Sequence, residues 1–378
     1  MTDLRKYLDR IPLAVLFFLL ALSTLALCFS FCGGFLAAIG LASLPLRLLL
    51  ASLLYLPVPV ILVLSLFCGT GQEALASFLR ALQSVTAVPY LYFLLCQLVG
   101  CFAMLFAGRS RIVTVYAASL VLWLITLCAA AASAIPVKKR AVPLPFSLGK
   151  TPFRIAVISD LHLGRFTSVR HLQKAIGRIE ESRPDLILIP GDLADQSFSR
   201  LKHREKVSAA LQKLRAPYGV YACEGNHDRA AWTEGAEQFF AACGFTFLRD
   251  EAILSDRFCL YGRRDGEERM CEEEIAAVIA AVNPENRPLI VLDHRPESIP
   301  ALSAIGANAV FCGHTHGGQT FPGNLLYGML SRYNRGKRVT GTTFSYTTVG
   351  CGRWGFPARL FVHDEVVIFE DGGAVQTH

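Results

Sequence analysis

The segment FRIAVISDLHLG, residues 153–164, changes character halfway along. Its first half is a short apolar run, the pattern of a buried strand. Its second half sets an acid, Asp160, and an imidazole, His162, directly behind that strand. Side chains able to hold a ligand gather at the carboxyl ends of strands in α/β sheets. The same arrangement recurs along the chain. DLILIP (185–190) runs into GDL with Asp192, and YGVYAC (218–223) into EGNHD with Asn226, His227 and Asp228. PLIVLD (288–293) runs into His294, and NAVFCG (308–313) into His314 and His316. Helical stretches at 168–181, at 199–214 and near 232–242 separate the early strands. Shorter strands are expected around Thr246, Phe258 and Leu260, then at 345–350, with two more in 358–370. Early β-α-β alternation followed by hairpin-like strands predicts two sheets with helices outside them.

The residue types at these strand ends define a chemistry. Five of the nine histidines stand there, which scattered surface histidines would not do. Carboxylates, imidazoles and one amide suit Mn²⁺, Fe or Zn²⁺, and no thiolate is needed. The set Asp160, His162, Asp192, Asn226, His227, His294, His314 and His316 is too large for one ion and suits a pair. Two ions about 3.5–4 Å apart, sharing a carboxylate, support in-line attack on phosphorus. The 12 cysteines show no CxxC spacing, so neither a disulfide framework nor a zinc site of thiolates is expected. Cys351 has no His or Asp pattern of its own that would make it a nucleophile.

Upstream of residue 137 the composition is of another kind. Only seven Lys/Arg and three Asp/Glu fall in residues 1–136, out of 37 and 30 in the chain. A bilayer core needs about 20 apolar residues per helix. Four stretches approach that length: 11–33, 48–68, 88–107 and 112–135. Their cores carry essentially no charge, so they read as an anchor and not as a transport path. With four spans both flanking basic clusters share a side, Arg5, Lys6 and Arg10 before the first and Lys138, Lys139 and Arg140 after the last. Arg80 joins them, against Arg47, Arg109 and Arg111 opposite. That bias predicts a multi-pass protein of the inner (cytoplasmic) membrane, with both termini and residues 153–378 in the cytoplasm. Residues 137–152, with prolines at 143, 145 and 152, read as an extended linker along the membrane surface. The soluble part is nearly charge-balanced and has no basic stripe with interleaved aromatics, so no nucleic acid partner is expected.

SDLHLG, PGDLAD, GNHD and GHTHGGQ, in that order and each behind a strand, resemble the calcineurin-like metallophosphoesterases over roughly residues 153–370. The resemblance implies an α/β fold, a four-layer α-β-β-α sandwich, here preceded by about four transmembrane helices. It implies a metal-dependent hydrolase of phosphoric esters or pyrophosphates with two divalent ions, Mn favoured over Fe or Zn. Asp160, His162 and His316 would hold the first ion, Asn226, His294 and His314 the second, and Asp192 would bridge them. His227 would stabilise the transition state or protonate the leaving oxygen, with Asp228 orienting it. Within the family the chain is similar to the bacterial membrane-associated branch. That branch includes broad phosphodiesterases and enzymes similar to UDP-2,3-diacylglucosamine pyrophosphatase. A lipid bilayer and a phosphate-containing, lipid-linked substrate are the partners this implies. A broad phosphodiesterase of soluble substrates and a non-catalytic metal-binding sensor are the alternatives. Arg165, just after SDLHLG, reads equally as a phosphate contact or an ordinary surface arginine. His171 and His203, in helical stretches, read as solvated. Residues 319–337 mix aromatic, aliphatic and basic side chains, and read equally as an interfacial lid or a packed loop.

Overall fold

A computed structural model of the chain describes residues 26–41, 43–58, 60–61, 73–107, 109–133, 136–164, 167–195, 198–232, 235–266, 268–354 and 359–371. The chain divides into two units, Met1–Ala129 and Ala130–His378.

The first unit is helical. Among the described residues two helical stretches are long and apolar enough to cross a membrane, Thr86–Ala107 of 22 residues and Ile112–Ala132 of 21. At about 1.5 Å per residue each reaches the roughly 30 Å of a hydrocarbon core. Two of the four expected spans, 88–107 and 112–135, thus stand as helices of sufficient length among the described residues. The other two expected spans extend in part beyond those residues. Their described portions form helices Ala26–Ala38 and Leu44–Tyr55, both too short to cross. Gly40, in the left-handed region at φ 94°, follows the first, and Pro45 stands in the first turn of the second. A small core of Cys28, Phe31, Cys32, Ala51, Tyr55, Phe93 and Tyr116 joins these helices, with Phe35 stacked on Tyr116 at 4.3 Å. Their outward faces stay apolar: Phe106 is 90% exposed and Leu105 75%.

The second unit holds two six-stranded sheets. The first uses β1 (Val137–Leu144), β2 (Arg154–Val157), β3 (Leu186–Pro190), β4 (Val220–Cys223), β5 (Thr246–Phe247) and β12 (Asp364–Asp371), in the order β1-β12-β2-β3-β4-β5. From β2 to β5 all pairings are parallel. The second uses β6 (Glu251–Leu254), β7 (Cys259–Gly262), β8 (Leu289–Leu292), β9 (Ala309–Cys312), β10 (Gly336–Thr340) and β11 (Thr343–Thr347), in the order β10-β11-β9-β8-β7-β6. Its four central strands, β7, β8, β9 and β11, are parallel and both edges antiparallel.

Strand alternation makes three cores from these sheets. Ile155 and Val157 of β2, with Leu186 and Leu188 of β3, face Ile290, Leu292 and Phe311 between the sheets. Ala156, Ile187 and Ile189 face the other way, onto Leu172, Ile176 and Ile179 of the helix Val169–Glu180. That helix carries its buried residues at 172, 175, 176 and 179, the one-face spacing, and Ser168 caps it by accepting from the His171 amide at 3.3 Å. On the far sheet Val291 and Val310 face Ile275, Ile299 and Leu302 of two outer helices. Helix, sheet, sheet and helix are therefore stacked, as expected.

Two local expectations are corrected. The stretch read as a linker is in part β1, an edge strand parallel to β12 with Val137 opposite Asp364. Pro143 is tolerated because an edge strand leaves amides unpaired on one side. The two strands expected in 358–370 are one, β12, since Leu360 and Phe361 lie in the preceding turn.

Candidate metal centre

Strands β2, β3 and β4 of one sheet and β8 and β9 of the other end at the same place. A side-chain bond crosses between them: His294 Nδ1 donates to the Pro190 carbonyl at 2.9 Å. That bond leaves Nε2 to point into the centre. The loops there are tight. Asp160, His162, Asp192, His314 and His316 all adopt positive φ, between 45° and 72°. For residues other than glycine this costs roughly 1–2 kcal/mol each. Only the two packed sheets on either side can hold so many strained residues, which is typical of functional sites. Gly225 and Gly313 have no substitute here, because a Cβ would collide with Asp192 Oδ1 at one and Asp160 Oδ2 at the other.

The side chains fall into two groups around one carboxylate. In the first, His162 Nε2 and His316 Nε2 are 3.0 Å apart, and His316 Nε2 is 3.7 Å from Asp160 Oδ1. In the second, His294 Nε2 is 3.2 Å from both Asn226 Oδ1 and His314 Nδ1. Asp192 Oδ2 faces both groups, 3.6 Å from His162 Nε2 and 3.2 Å from His294 Nε2. Its other oxygen accepts from the His227 amide at 2.9 Å. Asp160 Oδ1 accepts from the His314 amide at 3.0 Å.

Burial sets the protonation of these groups. His162 is pushed down to about 4 by burial, and His314 to about 4 by burial and the neighbouring His294. His316 also lies well below the usual imidazole range, through burial, His162 and Arg359. Each of these imidazoles is therefore neutral near pH 7, with one bare ring nitrogen able to bind a cation. Burial raises Asp160 to about 6, with the Asp192 charge adding to the effect. Burial alone would lower His294, but the Asp192 carboxylate wins and holds it at about 10. Asp192 is held below the usual carboxylate range, since His294 more than offsets its own burial.

A divalent ion fits this donor set. Asp160 Oδ2 is buried with no hydrogen-bond partner among the described residues, a costly arrangement unless a cation answers the charge. Three clusters could hold one: Asp160, His162 and His316; Asp160, Asp192 and His294; His162, Asp192 and His227. Asp192, whose Oδ2 faces both groups of side chains, is the group that two ions would share. No cysteine takes part, in keeping with Mn²⁺, Fe or Zn²⁺ bound by N and O donors.

His227 lies at the rim, its ring 4.9 Å from that of His162 and 5.7 Å from that of Trp354. Asp228 does not orient it. The Asp228 carboxylate turns back to accept from the amides of Ala194 at 2.8 Å and Gly225 at 2.9 Å. It thereby ties the loop after β3 to the loop after β4, and burial with the nearby Asp192 raises it to about 7. The carboxylate beside His227 is Asp195, 3.6 Å from Nδ1. Burial works to lower His227, but Asp195 outweighs it and raises the imidazole. Asp195 stands inside the PGDLAD motif, so its proximity to the site was legible, though its partner was not. Arg165 lies outside the described residues.

Two further groups gave no signal in the sequence. Arg359 is fully buried, 2.5 Å from Asp364 Oδ1, with its guanidinium 3.4 Å from His316 Nδ1. Asp364 also receives Arg353 at 2.6 Å and His171 at 2.9 Å. His171 is therefore packed and not solvated, while His203 is exposed. Both Arg359 and Asp364 belong to the C-terminal segment and reach the site only through the pairing of β12 with β2.

The comparisons with known proteins agree with this geometry. The model of the calcineurin-like phosphoesterase family matches residues 153–318. The chain is 30% identical over 236 residues to the phosphodiesterase YaeI of Escherichia coli, covering 60% of this chain and 84% of that one. It is 31% identical over 250 residues to a transmembrane protein with metallophosphoesterase domain of Danio rerio, covering 61% of this chain and 54% of that one. It is 28% identical over 217 residues to a metallophosphoesterase of Helicobacter pylori, covering 56% and 58%. The chain thus spans little more than half the length of the Danio rerio and Helicobacter pylori relatives. Motifs, their assembly about Asp192 and the extent of the match to YaeI together show that the chain belongs to the calcineurin-like phosphoesterase family.

Proposed function

We propose that the chain is a membrane-anchored hydrolase of phosphoesters or phosphodiesters that works with two divalent cations, Mn²⁺ favoured. The observation that carries this reading is the single oxygen, Asp192 Oδ2, facing two sets of buried donors. Asp160, His162 and His316 would hold one ion, Asn226, His294 and His314 the other. When bound, such ions neutralise charge on the phosphoryl group and lower the pKa of water. The remaining work falls to the chain. His227, kept protonated by Asp195, supplies a proton to the leaving oxygen. The Asp228 carboxylate holds the Asn226–His227 turn at the rim through two amides. Arg359 and Asp364 steady His316 from behind.

Anchoring is supported by the two long apolar helices and by the relative from Danio rerio named for its transmembrane character. We infer a multi-pass anchor of about four spans, residues 1–136, in the inner membrane, with residues 153–378 on the cytoplasmic side. The Lys/Arg asymmetry of seven against three supports that side. A substrate embedded in that membrane, such as a lipid-linked phosphodiester or UDP-2,3-diacylglucosamine, follows from the anchor. The broad phosphodiesterase reading draws on the name of YaeI. The test is hydrolysis of bis-p-nitrophenyl phosphate with Mn²⁺ by the full chain, by Asp192→Ala and by His227→Ala. Loss in both variants supports the reading, and equal activity in all three refutes it, leaving the metal-binding sensor.

A further inference from the structure

The helix Gly323–Leu330 begins five residues after Gly318, the last residue of the turn that carries His316, and it buries none of its side chains. Its sequence, GNLLYGML, is apolar but for Asn324, whose amide donates to the Leu360 carbonyl at 3.4 Å, and the Tyr327 hydroxyl. Leu325 is 55% exposed, Leu326 52%, Met329 77% and Leu330 84%. A helix this apolar is normally buried or sits in a bilayer. Phe361, 69% exposed, extends the patch, its ring 6.2 Å from that of Phe321. Trp354, 54% exposed, links the patch to the site: its backbone is bonded to the Gln319 amide group, and its ring lies 5.7 Å from His227.

Charge says what covers the patch. Arg332, Arg335, Lys337 and Arg338 follow the helix at once and are all exposed. None of the four forms an ion pair among the described residues. The sequence from Gln319 to His363 contains no Asp or Glu. An apolar helix followed by exposed cations, in a stretch without acids, is the pattern of an interfacial helix seated at an anionic lipid surface.

We propose that the helix Gly323–Leu330 inserts shallowly into an anionic phospholipid surface, with Arg332, Arg335, Lys337 and Arg338 against the headgroups. The backbone of the helix packs on Gly318, where a Cβ would collide with Asn324. Seating the helix therefore sets the His227 rim at the headgroup level. The occupant follows from exposure and charge alone. The consequence for substrate, a phosphate presented on a lipid headgroup, rests on the hydrolase reading above.

The test uses the full chain reconstituted into vesicles of phosphatidylcholine, with or without phosphatidylglycerol. The photo-crosslinker p-benzoylphenylalanine replaces Met329, Leu330 or, as a control, the exposed Lys213 in separate variants. Lipid adducts at 329 and 330 should exceed those at 213 by about tenfold with phosphatidylglycerol, and fall without it. Labelling no higher than at 213, equal labelling in both vesicles, or adducts to a second copy or to another segment of the chain would overturn the proposal. Hydrolysis of the soluble diester is read in parallel. It tests the hydrolase reading separately, because neither 329 nor 330 belongs to the metal centre.

Discussion

The two units treat the same kind of side chain in opposite ways. In the second, Phe240 is fully buried among Phe198, Trp232, Phe239 and Phe245. In the first, Phe106 is 90% exposed at the end of a long apolar helix. Water explains Phe240, because burying a large side chain is the main driving force of a soluble core. It does not explain Phe106, which forms with Leu105 and Phe102 an exposed apolar face of the kind that marks contact with a partner or a membrane. Charge runs the other way: the second unit buries Asp160, Asp192, Asp228, Arg359 and Asp364, each answered by a partner or aimed at the metal centre. Five of the residues with positive φ and the orphaned carboxylate oxygen Asp160 Oδ2 meet at the metal centre, where two packed sheets sustain them.

The sharpest way to break this contrast is at the shared carboxylate. Asp192→Ala should lower turnover of a phosphodiester by about a thousandfold or more and reduce bound metal per chain, read by metal analysis of the same sample. A variant with full metal content and normal rate would remove Asp192 from the centre. Next comes the core. Phe240→Ala should destabilise the second unit by about 3–5 kcal/mol in denaturant unfolding, whereas Phe106→Ala should change it by less than about 0.5 kcal/mol. Similar losses from both would mean that Phe106 is packed after all.

A smaller effect is expected at the rim. Asp195→Asn should slow turnover about tenfold and move the alkaline limb of the rate profile to lower pH. The sign follows from the role of His227: a proton donor works below its pKa, Asp195 raises that pKa, and its loss lowers it. An unmoved limb would assign the proton to another group. The smallest signal is a proton count. Without metal His294 is held at about 10, so near pH 8 it carries a proton that it must shed to become a ligand. Metal binding to the wild-type chain at that pH should release about one proton, measured by calorimetry in buffers of different ionisation heat. In His294→Gln the release should vanish.

Much of the site was readable because each candidate ligand is anchored to its own strand end. Strand, turn and ligand are contiguous in sequence, so the local pattern carries the position. Asp228 shows the converse. Its neighbour in sequence is His227, but a turn aims the two side chains apart, and the amide of Ala194, 34 residues away, claims the carboxylate. Arg359 and Asp364 sit in no motif, and β1 looked like a linker because its partner β12 lies more than 200 residues downstream. The spans expected at 88–107 and 112–135 were legible because hydropathy registers an uninterrupted apolar run, while those expected at 11–33 and 48–68 lie partly outside the described residues.

By itself the sequence determined the α/β class, the family resemblance, the apolar character of the N-terminal part and the ligand-type residues, since each of these is encoded within a few neighbouring positions. Only the tertiary structure decided that one oxygen of Asp192 faces both donor sets, that Asp195 and not Asp228 stands beside His227, and that Arg359 lies behind His316. It also decided that the helix Gly323–Leu330 leaves its apolar side chains uncovered. Those facts depend on where two sheets meet and on what else packs nearby, and such non-local distances have no signature in local sequence.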